Sequence, residues 1–338
     1  YNWTSNTTYA MYDSNDGEMF NKQFFVVANT ASEYNVFKVL DNNGDSPSMY
    51  KPDKSQTSAN DEYYSTADGY VWKWMYTVSK AQFEKFSTNS YMPVLIDSDV
   101  QGNAVPGTID VITVTYSGSN YDCVIANTFN STDIGIEGSN KKFKLPASAS
   151  SNTNFYANCG LYVDGQLRRI ESYDGASKVI TLVSTESDFS PMPVAGDEFE
   201  VSPYVQITGD GSNASARALV NAASSNSIYK IEVVQRGSGY SYANTVVTGT
   251  TGGVNNVATA SAVLAPRGGH GANAEAELGG SYLGVSVILA NNENGLITTD
   301  NDYRTVSIIR DEKLKELYEK AMLNVKDAPQ KLFEAEKK

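Results

Sequence analysis

Histidine occurs once in these 338 residues and cysteine twice. A lone His270 cannot build a multi-histidine metal site within one chain, and no C-x-x-C pair stands in for it. A Ser-His-Asp triad would need His270 as its base, and no G-x-S-x-G elbow occurs. Cys123 and Cys159 are too few for a disulfide framework; they read as two buried or half-buried thiols made in a reducing compartment. Charge is sparse as well, at 19% of residues, and skewed: 26 basic against 39 acidic gives a net −13. No basic footprint exists to neutralise nucleic-acid phosphates or to meet an anionic membrane. No apolar run approaches the ~20 residues of a membrane-spanning helix. No signal peptide is legible; the chain opens at Tyr1 rather than Met, so an address ahead of it goes unread. A Walker motif is missing, and Gly237-Ser238-Gly239-Tyr240 lacks the further glycine of a dinucleotide loop. The expectation is a chain with no cofactor, no metal, no nucleic-acid or membrane partner and no small-molecule substrate.

What is plentiful is tyrosine, 22 residues, and glycine, 26, together with Ser, Thr and Asn. That composition suits a turn-rich, mainly β protein, and the length suits two domains or three. The densest stretch is Ala67–Val78, ADGYVWKWMYTV, which holds two of the three tryptophans. Tyr70, Trp72, Trp74 and Tyr76 alternate with Val71, Lys73, Met75 and Thr77, the period of a strand rather than a helix. Four aromatics on one face must bury in a core or form a partner surface. The plain reading is a core strand; the sharper one makes Trp72 and Trp74 a platform for stacking sugars.

Gln23–Asn29 and Tyr34–Leu40 read as two short strands ahead of it. Between Asp41 and Asp61 the chain is polar. Asp41, Asn43 and Asp45 open with the spacing of a calcium loop, but Ser46 falls where glycine is needed and Pro52 where a bidentate Glu is needed, so a turn is expected. Ser79–Phe86 reads as one or two helical turns, with Ser79 as N-cap and Gln82 at capping-box spacing. Tyr91–Ile96 is a short apolar segment that Pro93 demotes to an edge or a connection.

From about residue 97 the texture shifts to Gly, Ser, Asn and short strands, and a repeat appears. Ile112–Tyr121 (ITVTYSGSNY) aligns with Ile231–Tyr240 (IEVVQRGSGY): Ile112/Ile231, Val114/Val233, Gly118/Gly237, Ser119/Ser238 and Tyr121/Tyr240 are identical. Each copy reads as a strand followed by a turn that brings a tyrosine back over a sheet. Between them, residues 142–203 form a block of four strands joined by Asp-Gly and Gly-Asp turns. Tyr204–Thr208 and Ala214–Val220 flank Gly209-Asp210-Gly211-Ser212 as a hairpin, and Val257–Leu264 follows. Gly268-Gly269-His270-Gly271 superficially matches a glycine-rich oxyanion loop, but reads as a tight turn with the imidazole packed or hydrogen-bonded. Ser281–Ala290 and Tyr303–Arg310 are the last strands. Leu314, Leu317, Tyr318, Ala321, Met322 and Val325 then recur at helical spacing until Pro329, an apolar stripe that docks on its own domain or on a partner subunit.

Three segments together resemble a known family. Asp68-Gly69-Tyr70-Val71-Trp72-Lys73-Trp74-Met75-Tyr76 closely resembles the D-G-Y-x-W-x-Y-L-[FY] stretch of the dimeric baseplate wedge subunit of T-even-type contractile-tail phages. Tyr34–Leu40 is similar to that family's upstream strand. Tyr303, Arg304, Ile308 and Ile309, within Asp302–Ile309, match its F-R-Q-[IV]-[SG]-[IL]-I strand. Pro266–Gly271 is similar to a loop of its marine-phage members. The block at 142–203 and the long terminal helix depart from the family pattern. The resemblance implies two β-sandwich domains, with an extra small β module and a C-terminal α-helix. On this reading residues 1–96 with 266–310 form a discontinuous first sandwich. Residues 97–265 form the second, containing the added module at about 142–203, and 311–338 are the amphipathic helix and tail. It further implies a late virion protein of the tail baseplate, assembled in the host cytoplasm, homodimeric, bound to other wedge subunits and without catalysis. Two alternatives stay open beside it. One is a carbohydrate-binding receptor module of a tail fibre or spike. The other is a polysaccharide hydrolase, for which 39 acidic residues leave room but single out no carboxylate pair.

Overall fold

Alternating apolar residues and Asx-Gly turns build antiparallel strands almost throughout. The computed structural model describes residues 1–88, 91–249 and 256–280, and it is mainly β. The strands predicted at 281–290 and 303–310 and the terminal helix lie outside the described residues. The chain divides into two compact units: Tyr1–Tyr12 with Glu18–Ala104 and the described residues from His270 on, and Asp13–Gly17 with Val105–Gly269.

The first unit is built on an antiparallel sheet of order β1-β2-β4-β3, with β1 Phe25–Asn29, β2 Glu33–Asp41, β3 Tyr64–Ser65 and β4 Val71–Ser79. Both faces of the sheet are covered. One carries Phe37, Val39, Tyr70, Trp72 and Trp74 with Tyr9; the other carries Val36, Met75, Tyr76 and Val78 with Phe24, Ala274 and Leu278. Tyr76 is therefore not on the face of the other three aromatics, as strict alternation implied. Phe37 pairs with Trp74 and Val36 with Tyr76, so Met75 is an extra residue on β4. Such a bulge shifts every later side chain to the opposite face.

The helix predicted after β4 is present as α1, Lys80–Phe86, with its capping box. The Ser79 hydroxyl accepts from the Gln82 N–H, and the Gln82 side chain accepts from the Ser79 N–H. Residues 91–96 form no strand, and the Pro93 carbonyl instead accepts the Tyr76 phenol at 3.1 Å. Asp41 and Asp45 tie their own turn, accepting from the Asn43 N–H at 2.7 Å and the Asn42 amide at 2.8 Å. Two short helices complete the unit: α2, Ser98–Gly102, capped by Asp97, and α3, Ala274–Glu277, capped by Asn273.

The second unit holds β5 Ile109–Tyr116, β6 Ile125–Thr128, β7 Lys142–Lys144, β8 Cys159–Val163, β9 Gln166–Asp174 and β10 Val179–Leu182. Then follow β11 Glu198–Gly209, β12 Ser212–Asn221, β13 Ser227–Ser238, β14 Ala243–Val247 and β15 Thr259–Leu264. Six of them ring one core in the order β5-β15-β14-β11-β12-β13, with β13 returning to lie beside β5. Ile109, Ile112, Tyr121, Val205, Ala216, Ala218, Ile228, Ile231, Tyr240 and Val247 fill it.

The ring has an internal two-fold relation that reaches well beyond the sequence repeat. β5 matches β13, and Ala258-Thr-Ala260-Ser-Ala262 matches Ala214-Ser-Ala216-Arg-Ala218. Ala262 pairs with Ile112 as Ala218 pairs with Ile231. β5 carries extra residues at Asp110 and Thr115, and β13 carries them at the corresponding Tyr229 and Val234. Bulges at matching positions in two independent ladders mark two copies of one supersecondary unit.

In the second copy Tyr240 reaches β14 through Ser241 and Tyr242 alone. In the first, residues 122–203 intervene between Tyr121 and Tyr204, and this is where the added module sits. Its strands β8, β9, β10 and β7 are joined to the first half of β11, which also carries β6. Phe129, Phe143, Ile170, Ile180, Phe199 and Val201 make its core. The Asp164-Gly165 turn joining β8 to β9 has φ of 44° and 73°, the left-handed pair that a two-residue hairpin requires.

Candidate functional site

Asp68 opens the aromatic strand, and its carboxylate is fully engaged. Oδ1 accepts from the Thr66 hydroxyl at 2.6 Å and the Tyr70 N–H at 3.3 Å, and Oδ2 from the Met49 and Tyr50 N–H groups at 2.7 and 3.1 Å. Burial works to raise its pKa, but these hydrogen bonds outweigh it and hold the carboxyl below the ordinary value. Gly69 follows at φ 83°, and a methyl group there would stand 2.8 Å from the Asn43 side chain. That side chain donates to the Asp68 carbonyl.

The polar atoms of Tyr70, Trp72 and Tyr76 find partners inside the fold, whereas the buried Trp74 indole N–H meets no acceptor among the described residues. The Tyr70 phenol donates to the Ser46 carbonyl at 2.6 Å and accepts from the Tyr9 N–H at 3.2 Å. Trp72 is 0% exposed. Its indole N–H donates to Thr66 at 3.1 Å, and its ring stacks on Tyr70 with Tyr9 edge-on. Trp74 is 6% exposed and lies under the Lys54 ammonium, 4.4 Å from the ring centre. Burial pushes the Tyr76 phenol far up. Trp72 and Trp74 therefore offer no face on which a sugar ring could stack. Among the exposed aromatics are Tyr116, Tyr229 and Tyr242, none of which the sequence singled out.

The face behind this strand carries a cluster that sequence reasoning missed. Lys38 on β2 and Lys73 on β4 are direct cross-strand partners, and both are 0% exposed. Like charges set opposite one another repel, and each is answered by a carboxylate from a different segment. Glu277 of α3 pairs with Lys38, and Glu62 pairs with Lys73 at 3.2 Å. Glu277 also accepts the N–H groups of Gly271 and Asn273, and Glu62 accepts the His270 N–H at 3.2 Å. The His270 ring is buried, edge-on to Tyr12 and Tyr63. The signal was present: a lysine inside each of two apolar runs, YNVFKVL and VWKWM. It carried no partner information, because Glu277 lies 239 residues from Lys38 and Glu62 reaches Lys73 from a polar loop rather than from the same strand. This arrangement fastens the 270–277 segment to the sheet, and Lys38, Lys73 and Glu277 are closed off from solvent.

In the second unit a shallow recess of about 400 Å³ is lined by Asn127, Thr128, Tyr162, Glu198 and Glu200 among others. One face of its only tyrosine is occupied by the Arg217 guanidinium at 3.8 Å, itself held by Glu200 and Glu232 at 2.8 and 2.7 Å. No group of three or more His, Cys, Asp or Glu side chains is placed to hold a metal among the described residues. Tyr303, Arg304, Ile308, Ile309 and the stripe Leu314, Leu317, Tyr318, Ala321, Met322 and Val325 lie outside the described residues. No family model, curated protein or solved structure matches the chain.

Proposed function

We propose that this chain is a structural subunit of a contractile phage tail baseplate wedge. It forms a homodimer, links neighbouring wedge proteins and carries out no catalysis. The observation that supports this most is the fate of the family-like stretch Asp68–Tyr76. Its Asp-Gly turn is tied by five hydrogen bonds to the carboxylate, and its aromatic side chains are spent on internal contacts. A sequence resembling a wedge subunit thus acts as scaffold, which suits a protein whose task is to keep its shape while neighbours hold it. The mechanism is geometric: rigid β units move as bodies at their interfaces when a baseplate changes shape, and their cores stay intact. The location that follows is the virion tail, with assembly in the host cytoplasm.

The test is static light scattering of the full chain at micromolar concentration, followed by mixing with candidate wedge subunits. A dimer that binds those subunits is expected. A monomer that binds none of them would overturn the reading, as would polysaccharide cleavage by the purified chain.

A further inference from the structure

The two cysteines meet at the neck where the inserted module joins the six-stranded ring. Cys123 lies two residues past Tyr121, on the chain's way into the module, and Cys159 begins β8, the module strand hydrogen-bonded to β11. Both side chains are fully buried. A methyl group on Gly249, just past β14, would stand 2.8 Å from Cys159 Sγ and 2.9 Å from Cys123 Sγ. The two sulfurs therefore share one small space, roofed by a glycine at φ 91° where nothing larger fits. The two-fold relation sharpens the point. Gly209 ends β11 as Gly249 follows β14, and a methyl group on Gly209 would meet the Tyr240 ring at 2.9 Å. Where one copy sets an aromatic ring against this glycine, the other sets a pair of thiols.

We propose that Cys123 and Cys159 form a dithiol oxidation site, which a hydroperoxide converts to an intramolecular disulfide that staples the module to the ring. One thiolate attacks a peroxide oxygen, forming S–O and breaking O–O, and hydroxide leaves as water after taking a proton. The second thiol then attacks that sulfur, forming S–S and breaking S–O, with a second water released. Two electrons pass from the sulfur pair to the peroxide, so two thiols and one H₂O₂ give one disulfide and two waters. Burial first, and the neighbouring Cys123 thiol second, push the Cys159 thiol well above its ordinary value. Thiolate is therefore scarce in the closed state, and reaction waits on local opening of the neck. A chain made in a reducing compartment keeps the pair open, and exposure to peroxide afterwards closes it.

The experiment treats the full reduced chain with hydrogen peroxide, reads intact mass and non-reducing peptide maps in denaturant, and repeats both after dithiothreitol. A loss of about 2 Da is expected, with both thiols disappearing together. A peptide linking Cys123 to Cys159 and a rise in Tm of roughly 5 °C or more should accompany it, all reversed by dithiothreitol. Cys123→Ser should abolish the 2 Da loss. Should serine unfold the chain, the linked peptide from the unsubstituted protein decides alone. Survival of both thiols, separate oxygen uptake on each, or links only between two chains would overturn the proposal.

Discussion

Tyr121 and Tyr240 enter one core from opposite ends, and each closes the other's repeat. The Tyr121 N–H donates to the Asn226 carbonyl at 3.1 Å and the Tyr240 N–H to the Gly107 carbonyl at 3.0 Å. The residue before each tyrosine does the same: the Asn120 N–H donates to Ser225 and the Gly239 N–H to Pro106. Asn226 and Gly107 correspond to each other in the repeat, and both have positive φ, 49° and 65°. Each copy thus ends by gripping the start of its twin, which makes the two repeats mutually dependent.

Gly107→Ala should be among the costliest single-methyl changes in the ring. The new methyl would stand 2.3 Å from the Tyr240 backbone nitrogen at a φ of 65°, adding a clash to the ordinary strain of about 1–3 kcal/mol. Gly135→Ala, at φ 64° with open space around it, carries the strain alone. Urea melts should rank Gly107→Ala as clearly the worse, and equal costs would refute the reciprocal grip.

Replacing residues 122–202 with Ser-Tyr would give the first repeat the short link that the second already has. The shortened chain should keep a cooperative thermal transition, because Phe199 and Val201 belong to the module core while Val205 belongs to the ring. Circular dichroism showing a non-cooperative melt would mean the module is needed for the ring to fold.

The Lys38–Glu277 pair should respond unequally to removal of its two ends. Glu277→Leu takes the carboxylate from a buried lysine and also strips the Gly271 and Asn273 N–H groups of their acceptor. A cost at the upper end of the ~3–5 kcal/mol for breaking a buried pair is expected. Lys38→Met leaves Glu277 with those two donors and should cost less. The reverse order in denaturant titration would contradict this wiring.

Acid should loosen two turns. Ser241, through its hydroxyl and its N–H, draws the Asp210 carboxyl down to about 2, and the hydrogen bonds around Asp68 lower it too. For a depressed carboxyl the unfolded chain binds the proton first. The stabilisation is thus complete above the unfolded value of about 4 and is lost as pH falls through the folded one. Stability should fall between about pH 4 and pH 2, and Asp210→Asn should flatten part of that slope. A carboxyl resonance of Asp210 titrating near the unfolded value would remove this contribution.

Trp72→Ala should destabilise the first unit by about 3–5 kcal/mol, as for other large aromatics cut from a closed core. Thr66→Val removes the indole's acceptor together with one donor to the Asp68 carboxylate, and should cost about 1–3 kcal/mol. Tryptophan fluorescence melts read both, and a neutral Trp72→Ala would mean that the ring is not closed in.

The sequence by itself determined the β texture, the capping box at Ser79 and Gln82, and the Asp-Gly turns, because these depend on neighbours within a few residues. It also carried the repeat through Tyr121 and Tyr240, and the aromatic strand. Tertiary structure alone decided the rest. The Met75 bulge sent Tyr76 to the other face, since register depends on the partner strand and not on the pattern of β4. The alanine strands became twins only once each was paired with its own isoleucine strand. Buried Lys38 acquired its carboxylate from Glu277, and Cys123 met Cys159, across separations that no local pattern encodes. Local rules chose the elements; long-range burial and charge pairing decided which of them meet.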